Sequence, residues 1–263
     1  MLLAVMARET VLWPLLTTLI LMVAGFFLRL PTSAAAIASG FLAGFSLIYG
    51  IHAFPPLEAQ GWIPFLIIPN LLLFLIDDRI SFPARIRLAL QGLVSAASVL
   101  LLFVPLFKTG FSASAFIASI AIWFMLWLAI EHQEGPALFF AASGNAIVCA
   151  TTGSTLLGQL GGVLAAVLAG QLVFNIPKTK MPMGHAGHAV SASILGSLML
   201  IGHVYAETAL LPSLLLFLAF AGPIAAKRIF RGRLQFVFGS LFALIPVAIA
   251  STIAIRSYLS QEY

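Results

Sequence analysis

The chain has 263 residues, 62% of them hydrophobic and only 8% charged, with a mean hydropathy of +1.12. Soluble domains carry about 25% charged residues, so this composition excludes a soluble globule and points to an all-α polytopic membrane protein, one transmembrane domain over 1–263. The net charge of +5 is too small and too confined to short loops to imply nucleic acid, and the single Cys149 excludes a disulfide framework or a cysteine metal site.

The N-terminus carries Arg8 and Glu9 ahead of a long apolar run. It lacks a small-residue cleavage site and reads as mature protein, not a removable signal. Runs long enough to cross a core of about 30 Å, roughly 17 to 25 residues, fall near 11–29, 33–53, 61–76, 88–107, 112–130, 186–204, 208–226 and 234–255. Between Ala137 and Phe174 lie 38 uncharged residues, too many for one span, and Thr151-Thr-Gly-Ser-Thr155 supplies a natural break. The expectation is about ten transmembrane helices. Pro14, Pro64, Pro69, Pro105 and Pro246 inside these runs predict kinks or carbonyls without helical partners.

Charge orients the spans. With ten of them, the loops after odd-numbered spans collect Arg29, Arg79, Arg85, Arg87, Lys178, Lys180, Lys227, Arg228, Arg231 and Arg233, while the other side has Arg8, Lys108 and Arg256. Short loops rich in Lys and Arg stay inside, so the odd-numbered loops are expected in the cytoplasm and both termini outside, in a bacterial or archaeal inner membrane. Small residues at helical spacing, in Gly40 to Gly44, Ala142 to Gly153 and Gly158 to Gly170, fit close helix packing within the chain.

The most informative stretch is Asn70-Leu-Leu-Leu-Phe-Leu-Ile-Asp77-Asp78-Arg79-Ile-Ser81-Phe-Pro83-Ala-Arg85-Ile-Arg87-Leu-Ala-Leu-Gln91. Here an apolar helix ends on adjacent carboxylates, which meet the unfavourable negative end of its dipole. Solvated acids paired with Arg79 would explain the pair; so would a functional site, because charges at membrane depth mark function. Parity puts two more polar loops on that face: Glu131-His132-Gln133-Glu134-Gly135-Pro136, and Lys178-Thr-Lys180 through His185 and His188. Acids beside basic residues at a membrane surface suit a divalent cation with a phosphate-bearing substrate. His185 and His188, three residues apart at a helix start, read either as metal ligands on one face or as interfacial histidines that hydrogen-bond there. His52 and His203 stand alone near span ends and read as interfacial.

These stretches resemble the polyprenyl-phosphate N-acetylhexosamine-1-phosphate transferases. Leu75-Ile-Asp77-Asp78-Arg79 through Ser81, Arg85, Arg87, Leu88 and Gln91 reproduces that family's Asp-Asp helix, short Ser and Pro loop, and Arg-x-Arg-Leu-x-x-Gln helix start. Gly170 to His188, with Asn175, Pro177, Lys180, Met183, Gly184 and Gly187, is similar to its Gly-Phe-Leu-x-x-Asn-x-x-Pro-Ala-Lys-Ile-Phe-Met-Gly-Asp-x-Gly-Ser, with His185 in place of the Asp and His188 in place of the Ser. Pro31-Thr32-Ser33 is set against Pro-Thr-Pro-Arg-Gly-Gly-Gly without its Arg and glycines. Glu131, Glu134-Gly135 and Ala137 fall where the family has an Asn, an Asp-Gly and a final Asp, and the late His-rich loop is missing before Arg231-Gly232-Arg233.

The resemblance implies a ten-span fold and a cytoplasmic site. Asp77 and Asp78 would be its catalytic acids, and Glu131, Glu134, His185 and His188 a rebuilt metal set. Arg79, Arg85, Arg87, Lys178 and Lys180 would bind phosphate. It implies Mg²⁺ or Mn²⁺ if the chain is active, His ligands favouring Mn²⁺ or Zn²⁺, with polyprenyl phosphate as lipid and a UDP-sugar as donor. The lost Asp and Asp-Gly loop favour a divergent relative that binds polyprenyl phosphate, or a protein partner, with reduced or no catalysis. An active transferase and a transporter or channel are the alternatives.

Overall fold

The computed structural model describes residues 2–28, 32–50, 54–108, 113–131, 136–174, 183–230 and 233–260. Within them the regular structure is entirely helical. α1 (Leu2–Ala7) continues through a π-helical turn (Arg8–Leu12) into α2 (Trp13–Leu28), and then come α3 (Ser33–Ile48) and α4 (Ile63–Ile80). α5 (Ala84–Phe103), α6 (Ala113–Glu131), α7 (Pro136–Thr151), α8 (Thr155–Phe174) and α9 (Gly184–Tyr205) follow, and the bundle closes with α10 (Leu210–Leu218), α11 (Ala221–Ile229) and α12 (Arg233–Leu259). Eight helical segments are long and apolar enough to cross a membrane, whereas α3 and α7 are apolar but only 16 residues each, about 24 Å at 1.5 Å per residue.

The expected break between Ala137 and Phe174 is present: α7 stops at Thr151, Gly153 takes φ +90°, and α8 starts at Thr155. Three expected boundaries move for local reasons. α3 ends at Ile48 and not near residue 53, because Gly50 takes φ +86° and turns the chain. α5 begins at Ala84, not at 88, since Pro83 sets an extended start and proline favours helix beginnings. The run expected over 208–226 is two helices: the Pro223 ring crowds the carbonyl of Ala219, four residues back, and the break falls at Ala219 and Phe220.

α8 and α9 form the centre. Every residue from Ala186 to Leu198 is buried, and α9 packs on α4, α6, α3 and α8. The small-residue runs are helix contacts, as their spacing suggests. A Cβ added at Gly161 would lie 2.8 Å from the Cα of Ala146, so α7 and α8 meet backbone to backbone. Large apolar side chains such as Phe27, Leu93, Ile117 and Ile245 point outward, the arrangement a lipid-facing surface requires.

Candidate functional site

The site is built where α4 ends, α5 begins and α9 begins. Both acids lie inside α4, which runs to Ile80 before Ser81 takes the left-handed conformation at φ +57°. Asp77 has no exposed surface. Its Oδ1 accepts the Phe82 backbone N–H at 2.7 Å and its Oδ2 accepts Arg87 Nε at 2.7 Å, with Arg87 Nη2 at 3.4 Å from Oδ1. Arg87 Nη2 also donates to the Phe82 carbonyl at 3.3 Å. A carboxylate and a guanidinium one helix apart thus close the 81–83 turn in a ring of charge-assisted hydrogen bonds.

Asp78 reaches a different element. Its Oδ1 accepts the His185 backbone N–H at 2.7 Å and its Oδ2 that of Ala186 at 3.1 Å, so it caps the first turn of α9 from another helix. This resolves the electrostatic puzzle of two acids at a helix C-terminus. The cost of meeting α4's negative end is offset by Arg87 for Asp77 and by the positive end of α9 for Asp78. Gly184 permits the approach: it takes φ +66°, and a Cβ there would lie 2.8 Å from Asp78 Oδ2. The start of α3 is tied to the same point, because Ser33 Oγ donates to the Met183 carbonyl at 3.2 Å.

Three of the stretches singled out in the sequence therefore converge, around Ser33, Asp77-Asp78 and Gly184. The expected pairing of the acids with Arg79 is corrected: Arg79 is exposed, and the partner of Asp77 is Arg87. Arg87, expected at a substrate phosphate, is engaged by Asp77, while Arg85 is exposed beside the site. His188 is buried, and its Nδ1 contacts the Gly184 carbonyl within the first turn of α9; His185 is half-buried. His203 Nδ1 lies 3.0 Å from the Thr208 carbonyl, in keeping with an interfacial, hydrogen-bonded histidine. Glu134, Lys178, Lys180 and His52 lie outside the described residues, as does the side chain of Glu131.

Among the described residues no group of three or more His, Cys, Asp and Glu side chains is arranged to hold a metal ion. Each carboxylate oxygen of Asp77 and Asp78 accepts a protein N–H group. The arrangement does present cationic side chains beside a rigid helix start. The Phe74 ring of α4 and the Trp127 ring of α6 lie 5.2 Å apart near this end.

A lateral groove lies between α6, α9 and α10, walled by Trp123, Leu126, Gly196, Met199, Leu200 and Phe217. Its wall on α9 begins at Gly196, twelve residues and about 18 Å from the start of that helix, and reaches His203. It carries no signal in the sequence, since its walls come from three separate helices. The Asp78 contact was equally hidden, although a glycine before a helix start facing an acid elsewhere is the sort of signal that would have found it.

No family model and no curated protein matches this chain. The resemblance to the transferases rests on the residues quoted for it.

Proposed function

We propose that the chain binds a polyprenyl phosphate at the Asp77 end of the bundle and carries out reduced or no sugar-phosphate transfer. The observation that carries this reading is the use of the two acids. Asp77 is buried against Arg87, and Asp78 caps α9, so the carboxylates that would serve a transferase are committed to holding helices together. Arg79 and Arg85 remain exposed at that end for a lipid phosphate, and the groove between α6, α9 and α10 suits an apolar chain.

In this reading the ten apolar helical segments, with α10 and α11 taken as one, each cross the membrane. Both termini lie outside, and the Asp77 end faces the cytoplasm of a bacterial or archaeal cell. Cysteines placed at Ser81 and Ser260 are then expected to react with an impermeant maleimide from opposite sides; labelling of both from one side contradicts the arrangement.

An active transferase is the second reading, favoured by the convergence of Ser33, Asp78 and Gly184 at one point. Both readings require phosphate recognition. Purified protein is expected to bind polyprenyl phosphate at least about tenfold more tightly than the corresponding polyprenol, the worth of one charge-assisted contact, and Arg85→Ala is expected to narrow that gap. Equal binding of the two lipids contradicts both.

A further inference from the structure

At the end of the molecule opposite Asp77, where α3 finishes and α4 starts, lies a second pocket. Phe45 and Tyr49 wall it from the α3 side and Pro64 and Phe65 from the α4 side, with Pro56 and Gly61 between them. Gly61 is required there, because a Cβ would lie 2.7 Å from the Cβ of Pro56. The rings form close pairs: Phe45 and Tyr49 have centroids 5.2 Å apart, as do Phe54 and Phe65. The Tyr49 hydroxyl donates to Glu58 Oε2 at 2.9 Å and so fixes a carboxylate next to the aromatic wall. Burial, then the hydrogen bond to Glu58 and its charge, push the Tyr49 hydroxyl up to about 12. It stays protonated at neutral pH and keeps its hold on Glu58. Exposed Leu47 and Ile68 neighbour the pocket on α3 and α4, which makes it continuous with the surface that meets lipid chains.

We propose that this pocket binds the ammonium headgroup of a membrane phospholipid, in the leaflet opposite the Asp77 site. A cation within about 6 Å of an aromatic ring centre is attracted to its negative face, and the Glu58 carboxylate is held beside the Tyr49 ring by the hydrogen bond from its hydroxyl. An anionic headgroup without an ammonium meets the same carboxylate as repulsion. Leu42, which lines the pocket about two turns before the end of α3, suits the upper part of the acyl chains, which favours a lipid over a soluble amine. None of these residues belongs to the Asp77 site, so this proposal stands apart from the proposed function and fails separately from it.

The test is native mass spectrometry of the purified full chain equilibrated with phosphatidylethanolamine and phosphatidylglycerol of identical acyl chains. Wild type is expected to retain phosphatidylethanolamine roughly tenfold over phosphatidylglycerol, the scale of one desolvated cation contact. Glu58→Gln and Phe65→Leu are each expected to bring that ratio close to one. Tyr49→Phe, which keeps the ring and releases Glu58, is expected to lower it part of the way. Thermal unfolding and polyprenyl-phosphate binding serve as controls that the variants are folded. Equal retention of the two lipids by wild type, a preference that survives Glu58→Gln, or displacement of the lipid by equimolar glycerophosphoethanolamine would overturn the proposal.

Discussion

Asp77→Ala is expected to remove about 3–5 kcal/mol of stability, because it strands the Arg87 guanidinium at a site built for an ion pair and frees the Phe82 N–H that closes the 81–83 turn. Arg87→Ala should cost a comparable amount, for it leaves a fully buried carboxylate without its cation. Replacing both at once, Asp77→Leu with Arg87→Met, is expected to recover much of the loss, since no charge is then left desolvated. Asp78→Ala removes a helix cap, not a buried ion pair, and should cost only about 1 kcal/mol. Thermal or denaturant unfolding in detergent checks the order. A loss at Asp77 within about 0.5 kcal/mol of wild type, the range of an ordinary surface substitution, or a larger loss at Asp78 than at Asp77, contradicts the structural role assigned to the pair.

That ranking reverses what position alone suggests. Two acids at the end of an apolar helix look like equivalent residues at a water boundary, where folding would tolerate their loss. Adjacent helical positions point about 100° apart, and here that angle sends Asp77 inward to Arg87 and Asp78 across to α9. That divergence follows from helix geometry, but the partners were not legible in the sequence. Arg87 lies ten residues on, across a turn whose geometry depends on Ser81 and Pro83, and the α9 amides lie more than a hundred residues away.

The elements themselves were easier to read. The 38-residue apolar stretch from Ala137 to Phe174 divides at Thr151 to Thr155 because Gly153 takes a positive φ that the threonine cluster and glycine announce. Length and hydropathy were poorer guides where backbone chemistry intervenes. Gly50 shortens α3, and Pro223 splits the ninth apolar run, while the residues around both look as apolar as any other span. The groove between α6, α9 and α10 carries no local signal at all, for each wall residue is ordinary on its own helix.

The second large effect concerns chemistry. In a sugar-phosphate transfer the lipid phosphate oxygen attacks the β-phosphorus of a UDP-sugar and UMP departs, and the charge on the two phosphates must be neutralised as they meet. In this chain Asp77 and Asp78 hold Arg87 and α9, and His185 stands where the transferases that its motifs resemble carry a carboxylate. Among the described residues no group of three or more His, Cys, Asp and Glu side chains is arranged to hold a metal ion. The most direct measurement is purified wild-type protein incubated with polyprenyl phosphate, radiolabelled UDP-sugars and Mg²⁺ or Mn²⁺ in turn, with labelled lipid and bound polyprenyl phosphate scored on the same preparation. Bound polyprenyl phosphate with labelled lipid at, or only slightly above, the level of a protein-free control is the predicted result. Conversion of most of the bound polyprenyl phosphate to labelled lipid, lost in a folded Asp78→Asn variant, would contradict it and establish an active transferase.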